Sequence, residues 1–339
     1  MYEGSISLAC SDYYLGVGLS IGSGRHESIT QAKQMIGIVR SIKFAVLANP
    51  ARRCGVRLAA EGHANALNCP LITEPHEANA FDFVYLHWHP NFDWQHPRWA
   101  FSLKNDLKVP SVLIVHDFLF IAPVDVVLAI AAFDLRSVPL WKAIKIPMPL
   151  QQPYPFIPKT EPDPDKVGFF GFYNPSKGAW SVLAYAKFHK KKAKFITTLH
   201  PFAPPWTEAE FSEFVTAVKR SGFEIVDEWL RDQELADCMG ECGFFVVLHS
   251  LGGFGASASV TSPLAARRPV FIDDRTGFAK EASMFALKFR FDSWPSQKEL
   301  NDARELIDSA WDQLRPEKVW NALHSKVLDE FHSRGYNLG

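Results

Sequence analysis

Twice in this chain a strongly apolar stretch ends on small residues that hand over to a helix, the pattern of a parallel sheet whose strands are joined by crossover helices. The first junction is Gly168-Phe169-Phe170-Gly171-Phe172-Tyr173-Asn174-Pro175-Ser176-Lys177-Gly178. About eighty residues on, Ser250-Leu251-Gly252-Gly253-Phe254-Gly255-Ala256-Ser257 follows another apolar run. Glycine lets a ligand approach the backbone, and a helix start offers amides to an anion. An ammonium beside such a start, as at Lys177, matches a diphosphate. Two such turns on one sheet point to a nucleotide-sugar pocket.

The same alternation extends along the chain. Ser5 to Cys10, Ile42 to Ala48, Phe81 to His87, Ser111 to His116 and Val126 to Phe133 read as strands. Helices are expected over Ser28 to Arg40, Gly55 to Leu67 and Trp99 to Leu107, with a glycine-studded loop carrying Gly22 and Gly24 before the first of them. Leu140 to Pro158 holds five prolines (Pro147, Pro149, Pro153, Pro155 and Pro158), a density that excludes regular helix and central strand and reads as a linker. Beyond it strands and helices alternate again, which predicts a second sheet. Ser296 to Leu314 and Pro316 to Arg334 show helical periodicity with capping-type starts. At 339 residues the chain exceeds the size of a single core. The expected fold class is α/β, with two Rossmann-like doubly wound domains: residues 1–150, residues 151–315, and a closing helical segment 316–339.

Thirty-six basic and 37 acidic side chains leave a net charge of −1, so no global field draws in nucleic acid or an anionic membrane. The lysines between Lys187 and Lys194 read as a solvated helix terminus, and Arg52, Arg53 and Arg57 are the one basic cluster on the first half's side. Five cysteines without paired close spacing fit a reducing compartment, hence a cytoplasmic protein. Cys238 and Cys242 read as packing residues. No run is long and apolar enough to suggest a transmembrane segment.

In open parallel sheets ligands bind beyond the carboxyl ends of the strands. Val112 to Asp117 ends in His116 and Asp117, a hydrogen-bond donor with an acid to orient it, and these are the candidate catalytic pair. Phe83 to Trp94 ends in polar and aromatic groups. There His87, His89 and Trp94, together with Gly22 and Gly24, are candidates for the acceptor side. His87, His89, Asp93 and His96 also allow a metal-site reading, while Trp88, Phe92 and Trp99 suit a core. In the second half Lys177 and Gly171 are candidates for a diphosphate. Gly253, Phe254, Gly255, Ala256, Ser257 and Ser259 would supply amides and hydroxyls, and Thr261 or Ser262 before Pro263 resembles a helix cap.

The run Gly171 to Gly178, the run Phe245 to Val270 through Gly253-Phe254-Gly255, the Val115-His116-Asp117 strand end and the Lys145-Ile146-Pro147 step resemble GT-B glycosyltransferases of the retaining, family-four kind. The resemblance covers about residues 5 to 335. It implies two domains facing a cleft, a nucleoside-diphosphate sugar held by the second domain and a hydroxyl acceptor held by the first. It implies no metal and no cofactor beyond the donor substrate, and a last helix that returns to the first domain. Lys177 would meet the diphosphate, the Gly253 to Ser257 turn the phosphates and sugar, and His116 the sugar. Many members carry two glutamates around the second turn; the matching positions here are Gly252 and Ser262, and the arginine often paired with the family lysine is Phe172. Ribose or sugar recognition then falls to Asp273, Asp274 or Glu281. The acceptor is expected to be a glycan or small molecule. A non-catalytic scaffold binding nucleotide, glycan or partner is the alternative, and transfer to a modified nucleic acid base a lesser one.

Overall fold

The computed structural model describes residues 42–51, 54–89, 92–116, 124, 127–133, 143–200, 203, 205–248, 258–273 and 284–335. The expected strand Ser5 to Cys10, the helix Ser28 to Arg40 and the loop with Gly22 and Gly24 lie outside them.

The first lobe contains β1 (Phe44–Leu47), α1 (Gly55–Leu67), β2 (Leu71–Ile72), β3 (Phe83–Trp88), α2 (Phe92–Gln95), α3 (Pro97–Asp106), β4 (Ser111–Val115), β5 (Val127–Ala132) and β6 (Ala143–Lys145). Its six strands pair in the order β2-β1-β3-β4-β5-β6, all parallel. Such a sheet must be covered on both faces, and β3 is buried throughout. Phe83 and Tyr85 join Val46, Val112 and Ile114 on one face, while Val84, Leu86 and Trp88 join Leu47, Leu113 and Trp99 on the other. Trp88, Phe92 and Trp99 are therefore core.

The second lobe contains β7 (Asp163–Phe170), α4 (Ala179–Phe188), β8 (Lys192–Ile196), α5 (Pro205–Arg220), β9 (Glu224–Val226), α6 (Asp232–Gly240), β10 (Cys242–Val247), α7 (Ala258–Ala265), β11 (Val270–Ile272), β12 (Leu287–Lys288) and α8 (Gln297–Gln313). The order is β12-β11-β10-β7-β8-β9, again parallel throughout. A capping box starts α8: Glu299 N–H donates to Ser296 Oγ at 3.2 Å, and Ser296 N–H to Glu299 Oε2 at 2.8 Å.

The last helix, α9 (Pro316–Ser333), leaves the second lobe and packs on α1 and β5. Trp320, Leu323, Val327 and Phe331 recur at helical spacing and are fully buried against the first sheet. Where the chain crosses back, Leu150 N–H donates to Leu314 O at 2.8 Å, so the two crossings lie side by side.

Three expectations change. The linker holds an edge strand, β6. The lysine run is not one solvated terminus, because α4 stops at Phe188 and Lys192 and Lys194 lie on β8. Lys194 is 5% exposed and pairs with Glu241 at 2.8 Å, its stem covered and its ammonium reaching the carboxylate. The helix α7 begins before Thr261 and Ser262, so both are buried inside it rather than capping it, and Pro263 is interior. Cys238 and Cys242 pack in one buried apolar cluster, as expected, and Cys54, Cys69, Cys238 and Cys242 are free thiols. Among the described residues no helix is long and apolar enough to cross a membrane.

On α9, His324 Nδ1 lies 2.7 Å from Tyr85 Oη, and burial pushes its pKa from 6.5 down to about 4. The unfolded chain therefore takes up this proton first. The associated stability is whole above pH 6.5, is lost as pH falls toward 4, and amounts to about 3 kcal/mol. Burial lowers His63 and His87 too, which adds to the same decline. Urea unfolding above and below this window is expected to show the loss, and His324→Gln to flatten it; an unaltered pH slope in that variant removes His324 as a cause.

Candidate functional site

A doubly wound sheet opens a crevice where strand addition reverses direction. In the second lobe this falls between β7, from which β8 and β9 extend one way, and β10, from which β11 and β12 extend the other. Immediately after β7, Gly171 has φ +129°, a region closed to most side chains. A Cβ there would stand 2.9 Å from Ser259 Oγ and 3.4 Å from Lys177 Nζ. Asn174 then caps a short 3-10 turn, Pro175–Lys177, its Oδ1 accepting from Ser176 N–H at 2.9 Å. Gly178 follows at φ +78°, where a Cβ would strike the carbonyl of Leu248 just beyond β10. The turn after β7 is thus seated on the chain leaving β10, and Lys177 is folded back over Gly171.

Lys177 closes the 3-10 turn rather than opening α4, and the turn's amides are mostly engaged. Gly171 N–H donates to Ile196 O at 3.2 Å, Tyr173 N–H to Thr198 O at 2.9 Å and Lys177 N–H to Asn174 O at 2.9 Å. What the turn offers is the ammonium. Among the described residues no carboxylate pairs with it, and burial pushes its pKa down to about 8.

A cavity of about 710 Å³ lies between the lobes. The second lobe contributes Gly171, Lys177 and Ser259, then Thr197 and His200 after β8 and Glu228 and Trp229 after β9. The first lobe contributes Val56 and Leu58 at the start of α1, and His89 and Phe92 beyond β3. Burial lowers the His200 pKa, and the positive charges of Lys177 and His89 lower it further. Phe172 stacks on Trp229 with centroids 5.2 Å apart and meets His200 edge-on at 4.7 Å. The Thr197 hydroxyl is buried with no hydrogen-bond partner among the described residues. Near the rim Glu61 of α1 receives Arg231 of the second lobe at 2.9 Å and Arg57 at 3.2 Å.

The structure therefore brings Gly171, Lys177, Ser259 and His89 to one cavity. His87 does not reach it, being fully buried in β3, so an acceptor contact is replaced by a place in the interior. His116 is half-buried at the end of β4, bonded to His87 rather than lining the cavity. Trp94 lies on α2. Asp117, Gly22, Gly24, Gly253, Phe254, Gly255, Ala256, Ser257, Asp274 and Glu281 lie outside the described residues, as do Arg52 and Arg53. Arg57, the described member of the basic cluster, is held by Glu61. No group of three or more metal-binding side chains occurs among the described residues, so His87, His89, Asp93 and His96 do not converge. Thr197, His200, Glu228 and Trp229 were not singled out in the sequence; their signal was position, each following a strand at the same sheet edge as Gly171.

No family model and no curated protein matches the sequence. Solved structures match in shape: AviGT4, a glycosyltransferase involved in avilamycin A biosynthesis, superposes with a TM-score of 0.58 at 13% identity, over 84% of this chain and 97% of that one. The fold is GT-B. Anabaena HepE in complex with UDP-glucose matches at a TM-score of 0.55 and 11% identity, over 88% of this chain and 99% of that one. An apo structure of OtsA gives 0.55 and 9%, over 84% and 99% respectively. Identities this low show a shared GT-B architecture and leave the chemistry to the residues.

Gly171→Ala is expected to lower stability by about 1–3 kcal/mol, because the new methyl group meets Ser259 Oγ in a backbone region hostile to side chains. Chemical denaturation measures this. Wild-type stability in the variant would show that the turn relaxes and that the close approach is not required.

Proposed function

We propose that this chain is a glycosyltransferase that binds a nucleoside-diphosphate sugar between its lobes and moves the sugar to a hydroxyl acceptor, with retention and without a metal ion. The carrying observation is Lys177, whose half-buried ammonium has no carboxylate partner among the described residues and sits at the strand-order reversal of a GT-B second lobe. A diphosphate there would supply the missing countercharge, and the ammonium would in turn stabilise the leaving group. In the transfer the bond between the anomeric carbon and the phosphate oxygen breaks, with its electron pair leaving on the diphosphate. A bond from the acceptor oxygen forms on the same face, and the acceptor proton passes to the departing phosphate. Thr197 and Ser259 are hydroxyls near the donor, and the Phe172–Trp229 stack offers an apolar wall for a base or sugar.

The HepE structure contains UDP-glucose, so uridine diphosphate is the first ligand to try. It is expected to raise the melting temperature of the wild-type protein. Lys177→Ala is expected to weaken UDP binding about ten- to a hundredfold, the usual worth of a hydrogen bond to a charged group, about 1.5–3 kcal/mol. The lysine is charged below pH 8 and neutral above it, so affinity for UDP should fall as pH rises through about 8. Equal UDP, GDP and ADP affinities in wild type and Lys177→Ala would overturn the assignment. Turnover insensitive to EDTA is the expected result for a lysine-supported leaving group.

One observation favours binding without transfer. At one of the positions where related enzymes carry a glutamate this chain has Ser262, which is buried in the cavity wall and cannot pair with a sugar as a carboxylate does. UDP binding without release of UDP from any sugar nucleotide, with or without acceptors, would select that scaffold reading.

A further inference from the structure

Behind the cavity three imidazoles stand in single file through the first lobe. His63 comes from α1, His87 from β3, and His116 follows β4. His63 Nδ1 lies 2.9 Å from His87 Nε2, and His87 Nδ1 lies 2.9 Å from His116 Nε2. His63 and His87 are fully buried. At the inner end the ring of Trp320 on α9 lies almost parallel to His63, 3.9 Å away at 9°. At the outer end strand register pairs Trp88 with Val115, so His116 stands level with His89, a residue of the cavity wall.

Each contact joins two ring nitrogens, so one must carry hydrogen and the other a lone pair. Burial keeps His63 and His87 neutral. Neutral rings leave two arrangements. With the hydrogens pointing inward, His116 Nε2–H donates to His87, His87 Nε2–H donates to His63, and His63 keeps its hydrogen on Nε2. That Nε2 is buried and has no hydrogen-bond partner among the described residues, so this arrangement would add a further orphaned N–H beside the unpartnered indole N–H of Trp320, at the cost of a desolvated donor. With the hydrogens pointing outward, His63 Nδ1–H donates to His87 Nε2 and His87 Nδ1–H to His116 Nε2. Only a lone pair is then left at the closed end. His116 in turn carries its hydrogen on Nδ1.

We infer that this file is a tautomer lock: His63 and His87 hold His116 as the neutral Nδ1–H imidazole, so that β4 ends in an uncharged hydrogen-bond donor. His63 and His87 are positioning residues. The lock also resists protonation of His116, because a hydrogen on its Nε2 would either break the bond from His87 or reverse the whole file onto the closed end. Among the described residues the titratable groups facing His63 and His87 are Tyr85 on β3 and His324 on α9, with Cys69 beyond α1 acting on Tyr85. No carboxylate is among the groups that shift His63 or His87.

Nitrogen-15 correlation spectra of the imidazoles in the full-length protein test this without any assay of sugar transfer, so the outcome is independent of the function proposed above. All three rings are expected to show hydrogen on Nδ1 and a bare Nε2, with His116 remaining neutral below its ordinary pKa of about 6.5. Hydrogen on Nε2 of any of the three, or a charged His116 at neutral pH, would overturn the inference. His63→Phe removes the donor that orients His87 and should return His116 to ordinary titration, whereas His63→Gln, which keeps a donor, should preserve the lock. Identical His116 titration in the two variants would also refute it. If neither variant folds, the wild-type spectra decide alone.

Discussion

The first sheet is finished only when the last helix of the chain lies on it. A parallel sheet cannot leave a face to water, and α1 alone does not span the face that carries Phe83, Tyr85, Val112 and Ile114. Trp320, Leu323, Val327 and Phe331 complete that cover from the far end of the chain. Two results follow from this return. The cavity lies between lobes that are tied together more than once, and the inner end of the histidine file rests on a residue of the closing helix.

Lysines withdrawn from water, wholly or in part, are treated in two ways within the second lobe. Burial opposes the charge on Lys166 and Lys194, but hydrogen bonds and attraction from Glu224 and Glu241 more than offset it, and both pKa values rise. Lys177 meets the same opposition without a described carboxylate, and its pKa falls to about 8. The contrast separates an internal ion pair at the amino edge of the sheet from an unmatched cation at the carboxyl edge, where a doubly wound sheet receives its ligand.

The parts of this arrangement that were legible in the sequence are those written locally. Strands such as Phe83–Trp88 and Cys242–Val247 are buried on both faces and so appear as apolar runs, and Gly171 and Lys177 stand out at a strand-to-helix junction. The edge strands β2, β6 and β12 are too short to carry a period and are defined by backbone pairing alone. Thr197, His200 and Trp229 enter the cavity because β8 and β9 flank β7, an order that no local spacing spells out. His87 looked like a surface ligand because its partners, His63 and His116, are 24 and 29 residues away. A polar residue in a strand is read as exposed until its companions are known.

The adjoining crossings at Leu150 and Leu314 have a mechanical meaning. Two bodies joined at neighbouring points can swing about the line through them, but they resist sliding or twisting past each other. The neighbouring crossings thereby favour rotation of one lobe on the other over translation, and the ion pair between Arg231 and Glu61 adds a further link between them.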